Sequence, residues 1–266
     1  MYDDGLEWFE NMCHEATSLA ELPYSERSSE LRFHLAKFTW YLINIDDLGH
    51  KYPSSLESFQ KRILQKEDPN GSILESFHDA MNGFYRFWDP IPANCMSQAA
   101  MDFINGCLLE QMSTIREMKL SRNALSWPYN LRRKTGASAV YAFAIFPTVL
   151  RIDLSIYIQV VDDIILFIDL VNDVLSFYKE YLSGEKHNYV YNRANVEQRS
   201  IPDTLRATLD DALAAHGRIT RGLEDTEAYL PWKEFVNGYM AFHVTLKRYR
   251  LHDLNLGVLQ EIPTNV

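Results

Sequence analysis

The sequence predicts an all-α protein, and three observations carry that prediction. Apolar residues recur mostly at helical period, no alternating strand with a hairpin turn stands out, and the breaks between periodic stretches are short. Ser28 with Glu30 opens a helix over 28–47, whose apolar run Phe38-Thr39-Trp40-Tyr41-Leu42-Ile43-Asn44-Ile45 closes in Asp46-Asp47. Tyr52-Pro53 breaks it, and a second helix covers 54–65. The turn signal Asp68-Pro69-Asn70-Gly71 precedes a helix at 72–87, and Asp89-Pro90-Ile91-Pro92 separates that from one at 96–117. Ser126-Trp127-Pro128 leads into 131–146, and a long apolar helix spans 152–181. Helices over 202–224, with Ser200 and Pro202 as start signals, and over 231–251 complete the set. The polar stretch 182–200 reads either as a mobile loop covering a site or as a plain surface loop. Connections this short set neighbouring helices antiparallel in a bundle.

Composition narrows the function. With 266 residues and 47% apolar content, one domain over 1–266 can bury a large core. A net charge of -10 argues against nucleic-acid and anionic-membrane partners, which demand clustered Lys and Arg. Cys13, Cys95 and Cys107 show no metal-ligand spacing, and the reducing cytoplasm is the expected compartment. The start Met1-Tyr2-Asp3-Asp4 has no basic region of a signal peptide, and the longest uncharged run, 135–150, is too short to span a bilayer.

The stretch Asn172-Asp173-Val174-Leu175-Ser176-Phe177-Tyr178-Lys179-Glu180 carries the chemistry. Asn172, Ser176 and Glu180 lie at i, i+4 and i+8, so on a helix they drift only about 80° and climb roughly 12 Å. That stripe offers an amide oxygen, a hydroxyl and a carboxylate. All are hard donors suited to Mg²⁺, which takes octahedral oxygen coordination and shares its sites with phosphates. An exposed polar helix face is the plainer reading, but the helix entering the stripe is strongly apolar, and three donors closing a buried helix need a partner. A second carboxylate element is then required. Asp162-Asp163 lies about 80° off the Asn172 direction and roughly 15 Å lower on the same helix. Asp46-Asp47 closes a different helix and can face the stripe across a cavity.

With these residues in place, the sequence resembles the class I terpene cyclases, specifically the trichodiene synthase-like fungal sesquiterpene synthases. The resemblance rests on Asp46-Asp47 and on Asn172-Asp173 with Ser176 and Glu180. It extends to Leu131-Arg132-Arg133-Lys134-Thr135-Gly136, to the segment 102–111, and to Gly238-Tyr239-Met240-Ala241-Phe242-His243 leading into Arg248-Tyr249-Arg250-Leu251. It covers most of 25–255. It implies a helical bundle around a deep apolar pocket, farnesyl diphosphate as substrate, diphosphate as product, and three Mg²⁺ ions as cofactor. A homodimer is compatible with it.

Residue by residue, the resemblance implies Asp46, Asp47, Asn172, Ser176 and Glu180 as metal ligands. It implies Arg132, Lys179, Arg248 and Tyr249 as diphosphate contacts. Phe38, Tyr239 and Phe242 are the aromatic candidates for the pocket wall. Two departures stand out: the further acid usual three or four residues after the first aspartates is replaced by His50 and Lys51, and the chain is shorter than typical members at both ends. The reaction so implied is ionisation of the prenyl diphosphate followed by cyclisation in a dry cavity. A prenyl chain-elongating synthase would need two full aspartate-rich motifs. A non-catalytic helical relative that binds an isoprenoid or a partner is the rival from another class.

Overall fold

Local sequence signals mark the helix ends. Ser28 accepts a hydrogen bond from the Leu31 amide at 3.3 Å, and Ser200 accepts one from Asp203 at 3.2 Å, each capping a helix N-terminus. Prolines sit in the first turn of four helices, where the missing N–H costs nothing. The computed structural model describes residues 3–69 and 71–255, and all regular structure among them is helical. The helices are α1 (Asp3–Glu21), α2 (Ser29–Leu48), α3 (Pro53–Leu64), α4 (Ser72–Asn82), α5 (Pro90–Gln111), α6 (Ser113–Arg116), α7 (Trp127–Thr135), α8 (Ser138–Ala144), α9 (Leu154–Tyr157), α10 (Val161–Ser183), α11 (Tyr189–Glu197), α12 (Ile201–Leu223) and α13 (Tyr229–Thr245). No helix among the described residues is long and apolar enough to cross a membrane.

α10 is the axis of the bundle. It packs against α7, α8, α11, α12 and α13, and its stretch from Ile164 to Val171 is almost wholly buried. α1 lies along α2, which in turn meets α4 and α5. One hydrophobic core joins side chains from α1 through α13. At one end of it Phe38 stacks on Phe77 (centroids 5.5 Å apart) and meets Phe84 edge-on at 4.9 Å.

Four expectations are corrected. The stretch 131–146 is two helices, because Ala137 adopts a left-handed conformation (φ 47°) between α7 and α8. The stretch 152–181 is likewise interrupted before Val161, so Asp162 and Asp163 fall in the first turn of α10, at the end far from Asn172. The segment 182–200 is not simply a loop. It holds α11, capped by Asn188 and anchored by buried Val190, Ala194 and Val196. α1 has no counterpart in the sequence reading, since its buried positions include the small residues Ala16 and Ala20 while Leu6 and Phe9 stay exposed.

Candidate active site

A cavity of about 330 Å³ opens between α2 and α10. From α10 it receives Ile168, Asn172, Ser176, Lys179 and Glu180, a single stripe set by the i, i+4 spacing. α2 contributes Asp46 together with Thr39, Leu42 and Ile43. Arg132 enters from the end of α7, Tyr141 from α8, and Tyr239 and Phe242 from α13. Arg248 and Tyr249 follow on the short turn Lys247–Tyr249. Charged and polar groups thus share the cavity with a wall of aliphatic and aromatic side chains.

The structure therefore brings together Asp46, Arg132, Asn172, Ser176, Lys179, Glu180, Tyr239, Phe242, Arg248 and Tyr249. It does not bring Phe38, which is fully buried among the aromatics of the outer core and is not part of the cavity wall. Asp47 lines a smaller neighbouring recess instead, where it accepts a hydrogen bond from Trp8 Nε1 at 3.1 Å. Asp162 and Asp163 are tied up by Arg133 and Arg218 far down α10. His50 and Lys51 are exposed on the turn after α2.

Arg132 is held by two buried carboxylates. Its Nε donates to Asp173 Oδ1 at 2.6 Å, its Nη1 lies 3.1 Å from Asp169 Oδ1, and its Nη2 reaches Asn172 Oδ1 at 3.2 Å. Burial alone would lower the guanidinium's pKa, but Asp173 and Asp169 together hold it above its ordinary value. One guanidinium cannot offset two desolvated carboxylates. Burial accordingly raises Asp169 and pushes Asp173 up to about 7. Gly136 makes this arrangement possible: a Cβ there would run into Arg132 Nη1, Asp169 Oδ1 and Ser138 Oγ.

Glu180 accepts from Ser176 Oγ at 2.5 Å and from Asn188 Nδ2 at 2.8 Å, so the residue that caps α11 also holds Glu180. Asp46 reaches solvent at the cavity mouth, yet its crowded walls and the adjacent Asp47 raise its carboxyl to about 6. Arg248 pairs with Glu15 of α1 at the rim. Several contributors escaped sequence reasoning. Glu110 of α5 lines an adjacent pocket and not this cavity, and burial together with the charge of Asp46 pushes it up to about 7. Glu185 follows α10 and lines the cavity. His243 contacts the Asn172 amide at 3.2 Å. Only the partial match of 102–111 and 238–243 to family segments hinted at Glu110 and His243.

The family profile described as Trichodiene synthase (TRI5) matches residues 12–260. Terpene synthase BipA of Cochliobolus sativus is 33% identical over 239 residues, covering 88% of this chain and 73% of that protein. Longiborneol synthase CLM1 of Gibberella zeae is 29% identical over 242 residues, covering 89% and 70%. Among solved structures, linalool/nerolidol synthase from Streptomyces clavuligerus, in complex with 2-fluorogeranyl diphosphate, superposes with a TM-score of 0.60 at 12% identity, covering 94% of this chain and 92% of that one. That last likeness establishes the fold, the class I terpene synthase helical bundle. On the profile match and the relatives, the chain belongs to the trichodiene synthase family of fungal terpene synthases.

Proposed function

We propose that the protein is a Mg²⁺-dependent sesquiterpene synthase, which ionises and cyclises farnesyl diphosphate to a hydrocarbon or alcohol and releases diphosphate. The observation that carries this reading is the α10 stripe of Asn172, Ser176 and Glu180, which faces Asp46 of α2 across one cavity with an aromatic wall. The donor set fits Mg²⁺. All its atoms are hard oxygens, and the desolvated carboxyl of Asp46, raised to about 6, is a group that a bound cation would favour in its charged form. Asp46, Asn172, Ser176 and Glu180 would hold the ions. When bound, the metal neutralises charge building on the leaving diphosphate.

The chain's own groups do the rest. Arg132, Lys179 and Arg248 line the cavity with cationic groups that would hold a diphosphate, and Tyr249 adds a hydroxyl. Tyr141, Tyr239 and Phe242 line the cavity, and an aromatic ring face turned to a carbocation is worth about 0.5–2 kcal/mol. Leu42, Ile43 and Ile168 keep water from the tail.

The test is diphosphate release from farnesyl diphosphate with and without Mg²⁺, with organic products identified by mass spectrometry. Glu180→Ala or Asn172→Ala should lower Mg²⁺-dependent turnover by at least about 100-fold with the fold intact. Asp162→Asn, changing an exposed residue paired with Arg133, should leave it nearly unchanged. Binding of the diphosphate without turnover in the unaltered protein would favour the non-catalytic alternative.

A further inference from the structure

Resting on that reading of the site, we infer that His243 is a positioning residue: it fixes the Asn172 amide so that the oxygen, not the nitrogen, is turned to Arg132 and the cavity. The two ends of an asparagine amide have nearly the same shape, so only its hydrogen-bond partners choose between them. Here the partners differ in kind. On one side Arg132 Nη2, which can only donate, lies 3.2 Å from Oδ1. On the other, His243 Nε2 lies 3.2 Å from Nδ2.

The choice depends on which ring nitrogen of His243 carries the proton. Nδ1 sits 2.8 Å from the Tyr239 carbonyl oxygen, one turn back on α13. A carbonyl only accepts, so Nδ1 must be the protonated nitrogen and Nε2 is left with a bare lone pair. His243 is fully buried, with the rings of Tyr239, Phe242 and Tyr249 centred 4.6, 5.1 and 4.6 Å away. A doubly protonated ring would set an Nε2 proton against the protons of the Asn172 amide, so the contact itself requires the neutral ring. The Tyr249 hydroxyl adjoins the same amide. A flipped Asn172 would set acceptor against acceptor at His243 and donor against donor at Arg132. The backbone of α13 thus sets the tautomer, the tautomer sets the amide, and the amide presents oxygen where a divalent cation would need it.

Two measurements test this on the full chain. Long-range proton–nitrogen NMR of the metal-free protein should show His243 protonated on Nδ1, with Nε2 accepting from the Asn172 side chain. A ring protonated on Nε2 overturns the proposal, and no variant is needed to see it. Calorimetric titration with Mg²⁺ and inorganic diphosphate should show His243→Phe weakening binding roughly 10–100-fold. His243→Gln, whose amide oxygen can accept the same hydrogen bond, should recover part of that loss. In an Asn172→Ala background His243→Phe should add little further loss. Unchanged affinity in His243→Phe, or an equal loss with and without Asn172, overturns the proposal. A wild-type protein that takes up no Mg²⁺ and diphosphate overturns the site reading on which it rests, while the NMR result still decides the amide orientation.

Discussion

Arg132 shows how much a single residue can hold in this protein. Its guanidinium is mostly buried against Asp169 and Asp173, so Arg132→Ala would strand two carboxylates away from water. The expected cost is about 3–5 kcal/mol, measurable by urea denaturation of the metal-free protein. A second prediction follows from the carboxyls that titrate above their usual range: Asp46 at about 6, Glu110 and Asp173 at about 7. An acid whose pKa is raised on folding contributes stability that is complete below its ordinary pKa and lost as pH rises through the folded value. The metal-free protein should therefore lose Tm as pH rises from about 4 to 7, and Glu110→Gln should flatten that slope. A Tm that climbs over this window would contradict the assignment. Legibility at this scale follows helical geometry. Asn172, Ser176 and Glu180 were readable because one helix fixes their mutual angle. Phe38 misled because eight residues before Asp46 is about 80° round the helix, enough to point at Phe77 and Phe84 rather than the cavity. Asp47, one residue on, turns by about 100° to meet Trp8. Glu110 and His243 come beside the site only through tertiary packing, and no local pattern announces them.

Among the elements, the break between α7 and α8 matters most. Thr135-Gly136-Ala137-Ser138 holds a glycine and two hydroxyl residues but no proline, and the apolar period on either side of it reads straight through. The physical reason is close approach: Gly136 passes where Asp169 and Arg132 meet, and no side chain fits. Gly136 itself has ordinary helical angles (φ -77°, ψ -24°), so Gly136→Ala is not a backbone problem. It should instead displace Arg132, lowering stability by about 1–3 kcal/mol and weakening diphosphate binding. A stable Gly136→Ala protein with unaltered diphosphate affinity would show that Arg132 does not contact the ligand from this position. α2, α10, α12 and α13 were legible in outline because their apolar stripes are wide. α11 was not, since its nine residues follow a run of polar ones and only the tertiary packing of Val190, Ala194 and Val196 defines its buried face.

For the molecule as a whole, the all-α bundle was the most legible feature, since the helical period and short breaks leave few other architectures. The placement of the cavity was less so, because it depends on α2 and α10, far apart in sequence, meeting face to face. Enclosure of α10 has a kinetic consequence. Its segment from Ile164 to Val171 is almost wholly buried and packed on several sides, so its amides should exchange with solvent only when the entire protein unfolds. α1, held to the rest mainly through α2 and the Glu15–Arg248 pair, should exchange sooner. Hydrogen–deuterium exchange resolved by peptide would separate the two. If α10 is the last segment to open, the helix that carries the ligand donors is also the one that closes cooperative unfolding. Occupancy of the site would then be registered in the lifetime of the whole native state, because a ligand held on α10 is released only when that helix opens.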